Sequence, residues 1–170
     1  MIHLIGTKEK LGIEFSILDN KNLTGNAKIW VGNAFFGTNE DVIFLKGYLL
    51  NGLKELLNAR VIDSPIFQTF SNYKLKNIFY YLKHNLDCKK EAINTYPYLI
   101  HFGTFTDDYI VFAFSYQNSI YILWKIINKH SIFKDIQASK KGIHLFKTSK
   151  EELQVIISQL EIFLENQLKD

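Results

Sequence analysis

Gly12-Ile13-Glu14-Phe15-Ser16-Ile17-Leu18, followed by Gly25-Asn26-Ala27-Lys28-Ile29-Trp30-Val31, contains two alternating runs. Ile13, Phe15 and Ile17 alternate with Glu14 and Ser16, the period of a strand with one buried face. In the second run Ile29 and Val31 share one face, and Lys28 and Trp30 the other. Asp19 to Asn26, between them, is rich in Asp, Asn, Thr and Gly and reads as a loop. Gly32-Asn33 reads as a tight turn or a bulge, and Ala34-Phe35-Phe36 as a short extension or a third strand. After a further turn region at Gly37 to Asp41 the period changes. Leu45, Leu49, Leu53, Leu56 and Leu57 fall on one stripe, which predicts a helix from about Ile43 to Asn58. Gly47 and Gly52 weaken that helix by up to about 1 kcal/mol each relative to Ala, or else permit close packing. A hairpin that feeds a helix is a packing unit, and no metal, nucleotide or nucleophile motif interrupts it.

Downstream, Asp63-Ser64-Pro65 closes this region. Tyr73, Ile78, Tyr81, Leu82 and Leu86 suggest a second helix within Phe67 to Leu86, capped by Ser71 or Asn72. Asp87 to Thr95 is a polar connector. Strand-like runs follow at Tyr98 to Phe102, Tyr109 to Tyr116 and Ser119 to Ile127, with turns at Thr104 to Asp108 and Gln117-Asn118. Gly142 to Thr148 adds another strand. The last element is a helix: Thr148 or Ser149 caps it, Glu151 or Glu152 completes a capping box, and Leu153, Ile156, Ile157, Leu160 and Leu164 form its stripe. One apolar stripe calls for one sheet face. The order β-β-α-(α)-β-β-β-β-α, with strands in antiparallel blocks, is that of an α+β fold, an antiparallel sheet packed by helices.

At 170 residues the chain reads as one domain over 1–170, burying roughly 70% of its unfolded surface. Twenty basic and 17 acidic residues leave a formal charge of +3, too balanced for a nucleic-acid footprint. Arg60 is the only arginine, which also weighs against base readout by Arg forks. Aromatic residues, at 15%, supply a large core or a core with an aromatic surface patch. Cys88 is the only cysteine, so no disulfide framework or cysteine-based zinc site is expected, and a cytoplasmic location fits. No signal peptide is read at the N-terminus. The apolar stretch Tyr109 to Ile127 is broken by Ser115, Gln117, Asn118, Ser119 and Lys125, and reads as a hairpin rather than a membrane span.

Residues able to do chemistry are dispersed. His3, His84, His101, His130 and His144 form no H-E-x-x-H pair. His101 and His144 fall in predicted strands, where a solvent-facing histidine explains them better than an acid–base role. Asp107-Asp108 is a carboxylate pair at a hairpin corner, where solvation opposes the pKa splitting that catalysis needs. The glycines form no phosphate-binding loop, and there is no nucleophile elbow. No cofactor, metal site or catalytic set is expected. A hydrolase or transferase built on His101 with Asp107 or Asp108 would need those side chains within hydrogen-bond reach in a concave pocket.

Ile5-Gly6 and Lys8 to Lys10, the two alternating runs, Gly37 with Glu40-Asp41, and the helix from Leu45 to Leu57 together resemble the bacterial polymorphic-toxin immunity proteins. The similarity is greatest to the family numbered forty-two among them, and Ile143 to Leu168 agrees with it in general shape. The resemblance implies a cytoplasmic, non-catalytic protein that binds and neutralises one cognate toxin domain delivered by a neighbouring cell. A non-catalytic adaptor or small-ligand-binding domain is the alternative. No nucleic-acid or membrane partner is implied. Residues expected at turns are the candidate toxin contacts: Trp30, Asp19 and Asn26 with the loop between these last two, and Asp107, Asp108 and Tyr109.

Overall fold

The computed structural model describes residues 1–70, 74–87, 95–128 and 130–168. The two alternating runs form β2 (Leu11–Asp19) and β3 (Thr24–Val31), an antiparallel hairpin with Ile13 opposite Ile29 and Glu14 opposite Lys28. β1 (Ile2–Gly6) adds to one side of the hairpin. On the other side, β4 (Ala34–Phe36) pairs with one end of β3, and β5 (Ile43–Phe44) with the other. This sheet has five strands. Its inner face presents Ile13, Phe15, Ala27, Ile29 and Val31, all buried. Its outer face carries Glu14, Ser16, Asn26, Lys28 and Trp30, all half-buried.

A second, three-stranded antiparallel sheet is formed by β6 (Tyr109–Tyr116), β7 (Ser119–Ile126) and β8 (His144–Ser149). The two sheets meet where Phe36 packs on Trp124, at 5.7 Å between ring centres, and where the Trp124 indole N–H donates to the Phe35 carbonyl. Val111, Ala113, Ile122 and Trp124 face the main core. That core is shared with the inner face of the first sheet, with α1 (Asn51–Leu57) and with α5 (Lys150–Gln167). Phe112, Phe114, Tyr121 and Leu123 face the opposite way. They pack against Ile78, Phe79 and Leu82 of α3 (Asn77–Asp87), with Ile62, Leu75 and Tyr98 around them. Two short helices, α2 (Ser64–Thr69) and α4 (Lys134–Gln137), precede α3 and β8 in the chain.

The α+β class, the antiparallel pairing, the long hairpins and the capped final helix are as expected. Ser149 is the cap: its hydroxyl accepts the Glu152 N–H, and the Glu152 carboxylate accepts the Ser149 N–H in return. Three local expectations need correction, and one strand was not expected. Pro65 opens α2 at its first turn rather than closing a region, because a missing N–H costs nothing there. Tyr98 to Phe102 is not a strand. Pro97 lies in a 3₁₀ turn, Tyr96–Tyr98, and only Leu99 bridges to Phe112 before Gly103, at φ +85°, redirects the chain. The leucine helix starts as a π-helix, Leu45–Leu50, before continuing as α1. β1 carried no alternation signal because its pattern is inverted: Ile2 and Leu4 are exposed, while His3 turns inward between Phe15 and Phe163. Ser71, Asn72 and Cys88 lie outside the described residues.

Candidate functional site

The six residues expected to contact a partner occupy three environments. Asp19 and Asn26 lie at the end of the first sheet where β5 joins. Asp19 is opposite Thr24, which is opposite Phe44. The Asn22 side-chain amide (2.6 Å) and the Lys21 N–H (2.9 Å) donate to Asp19 and hold its carboxyl below the usual range. Asn26 donates to the Asp41 carbonyl at 2.7 Å and is bonded by the Ser16 hydroxyl, so it shapes the Asp41 turn from below. Trp30 lies at the other end of β3. The Lys8 ammonium stands 4.3 Å from its ring centre and Phe35 packs 5.1 Å away. It borders a cleft of about 160 Å³ shared with Ser139, Lys140 and His144.

Asp107 is exposed, whereas Asp108 and Tyr109 are buried. The Asp108 carboxylate is occupied by the Asn128 side-chain amide and the Ser131 hydroxyl, and its carbonyl accepts the Ile127 and Asn128 N–H groups. It therefore ties the segment after β7 to the start of β6. Burial pushes the Tyr109 phenol well above its ordinary range, with the Ser139 hydroxyl opposing.

Around Asp107 the fold assembles a surface from two distant segments. The Thr104 hydroxyl donates to the Asp41 carboxylate at 2.6 Å, and the Val42 N–H donates to its other oxygen at 2.9 Å. Tyr48 lies flat against Gly103, where an added Cβ would come within 2.5 Å of the ring. Phe44 meets Tyr48 edge-on at 6.1 Å. Val42, Phe44 and Tyr48 are 55%, 54% and 40% exposed, so an apolar surface adjoins the Asp41 and Asp107 carboxylates. Partial burial raises the Asp107 carboxyl above its ordinary range; the charges of Asp41 and Asp108 add to this, and His101 opposes it. Val42, Phe44, Tyr48 and Thr104 were not among the sequence candidates. A signal for two of them was present: Phe44 and Tyr48 share helical spacing but lie off the Leu45/Leu49/Leu53 stripe, so an apolar pair faces away from the core.

His101 and Asp107 border a shallow cleft of about 210 Å³, and both are exposed. Among the described residues no hydrogen bond joins His101 to Asp107 or Asp108, and Asp108 is committed to Asn128 and Ser131. The wider cleft beside β7, about 400 Å³, is bordered by Lys125, Ser131, Gln137 and Lys141 among others, with no histidine or carboxylate in its lining. No three of the described His, Cys, Asp and Glu residues stand together as a metal site. Among the described residues no helix is long and apolar enough to cross a membrane.

The outer face of the first sheet is occupied by its own charges. Lys8 pairs with Glu14, which also accepts from the Asn39 amide. Lys28 pairs with Asp135 at 2.9 Å, and Asp135 accepts the Thr38 hydroxyl and the Asn39 N–H. Burial works to raise both carboxyls, but the lysines and hydrogen bonds prevail and hold them below their ordinary range.

No curated protein matches the chain. Its fold is similar to the crystal structure of CdiI from Burkholderia dolosa AUO158, with a TM-score of 0.61 at 14% identity over 94% of this chain and 99% of that one. The family model for immunity protein 42, Imm42, matches residues 1–163. A match that spans both sheets and nearly all of the last helix leaves no major element outside it, and the chain belongs to the immunity protein 42 family.

Proposed function

We propose that this protein confers immunity by binding a cognate toxin domain directly in the cytoplasm, one to one and without catalysis. The toxin arrives from a neighbouring cell by a contact-dependent or secretion-system route. The observation that carries this reading is the immunity protein 42 match over residues 1–163. The dispersed titratable groups and the exposed apolar and acidic surface at Asp41 to Tyr48 support a binding role. Within the reading, Asp107, with Asp19 and Asn26 at one end of the first sheet, serves the contact, while Trp30 lies at the other end with Lys8 and Phe35 against its ring. Asp108 and Tyr109 support it from inside the fold.

The test is co-expression of the tagged chain with the product of the gene immediately upstream. Recovery of a stable one-to-one complex, together with growth arrest when that product is made alone, is the expected result. No complex and no toxicity would sink the reading and favour an adaptor or small-ligand-binding domain.

A further inference from the structure

We infer that the surface formed by Asp41, Val42, Phe44, Tyr48, Thr104 and Asp107 is the docking face for a basic patch on the toxin. A lysine or arginine of the toxin meets the two carboxylates, and an apolar side chain covers Phe44 and Tyr48. This rests on the immunity reading above and names the face and the chemistry of its partner.

Three observations carry it. The apolar residues are exposed, with Phe44 and Val42 more than half exposed and Tyr48, packed between Gly103 and Phe44, still 40% exposed. Exposed aromatics beside polar groups are the usual anchors of a protein interface. The surface is also held in place before binding. Tyr48 rests on Gly103, whose backbone at φ +85° favours glycine, and Thr104 orients the Asp41 carboxylate. Little side-chain entropy is then lost on docking.

The third observation is charge. Among the described residues no ion pair joins Asp41 or Asp107 to a lysine or arginine, while on the outer face of the first sheet Lys8 and Lys28 are paired with Glu14 and Asp135. Asp41 and Asp108 both repel the Asp107 charge, and His101 opposes them. On a chain of net charge +3 this local negative field is the feature a cation on the partner relieves. Trp30 is the contrasting case, since its own Lys8 and Phe35 already pack against its ring.

The experiment measures binding of the purified chain to the toxin domain encoded immediately upstream, at low and at moderate salt. Asp107→Lys, at an exposed position whose carboxylate makes no side-chain hydrogen bond among the described residues, is expected to weaken binding about a hundredfold, mainly through association rate, and to flatten the salt dependence. Phe44→Ala is expected to weaken it about tenfold or more. Val155→Ala, on the exposed side of α5, is expected to stay within about twofold. Thermal melting of each variant guards against loss of fold. If one variant melts early, the other decides, together with rescue of Asp107→Lys by a Lys→Asp change on the toxin. Wild-type binding with both surface variants unchanged overturns the docking face and leaves the immunity reading intact. Failure of the wild type to bind overturns both. A wild-type dimer dissociated by Phe44→Ala would assign the face to a second copy and overturn the proposal.

Discussion

The two sheets are both antiparallel but solve the problem of the second face differently. In the first sheet the inner face is aliphatic and aromatic, while the outer face is a mosaic of Glu14, Ser16, Asn26 and Lys28 neutralised by neighbours. In the second, apolar side chains point both ways from β6 and β7, into the main core on one side and onto α3 on the other. Period-two alternation is therefore clean in residues 13–17 and nearly absent in 109–116, although both are strands. The difference teaches that a continuous apolar run marks a strand covered on both faces.

The contrast is sharpest in the core. Phe112→Ala, facing α3, should cost about 3–5 kcal/mol, and Ile122→Ala, facing the main core, about 2–5 kcal/mol, as read by urea denaturation. If either face of the second sheet tolerates truncation, the two-sided burial is wrong.

The outer face of the first sheet should fail through charge instead. Asp135→Asn removes the partner of half-buried Lys28 and weakens the Thr38 and Asn39 bonds, at a cost of about 1.5–3 kcal/mol at neutral pH. Because Asp135 and Glu14 titrate lower in the folded chain, their contribution is fully present above the ordinary carboxylate range, near about pH 4. It is lost as pH falls through the depressed folded values. The wild type should therefore lose stability on acidification, and Asp135→Asn should show a shallower acid limb. Equal slopes would remove the ion pairs from the account of this face.

The two helix glycines give a smaller and opposed pair of effects. An added Cβ at Gly52 would come within 2.2 Å of the Phe102 ring, so Gly52→Ala should destabilise by about 1–3 kcal/mol despite better helix propensity. At Gly47 the nearest neighbour is 3.5 Å away, so Gly47→Ala should stabilise by up to about 1 kcal/mol. Matched thermal melts decide both. The smallest effect belongs to Leu4→Thr on the exposed side of β1, expected within about 0.5 kcal/mol of wild type. A large loss there would mean that the first sheet, like the second, has a covered outer face.

The candidate surface was legible in the sequence only in part. Asp107 reads as a turn residue at a hairpin corner, and it is exposed in a turn. Asp108, its neighbour, carries the same chemistry and the same turn signal, but Asn128 and Ser131 enclose it from 20 and 23 residues away. Phe44 and Tyr48 lie off the leucine stripe of the predicted helix. Their exposure follows from the stripe that excludes them.

The sequence by itself determined the face each strand of the first hairpin would bury, a capping box at Thr148 or Ser149 with Glu151 or Glu152, the α+β class and the lack of any metal or nucleotide motif. These rest on spacing and on contacts within a few residues, which local chemistry decides. The tertiary structure alone decided that the strands divide into two sheets, that α3 covers the far face of the second, and that His3 turns inward. It alone brought Asp41 to Thr104, 63 positions apart. Periodicity reports that a face is apolar, but which distant element covers it depends on how the layers stack, and no local pattern encodes that choice.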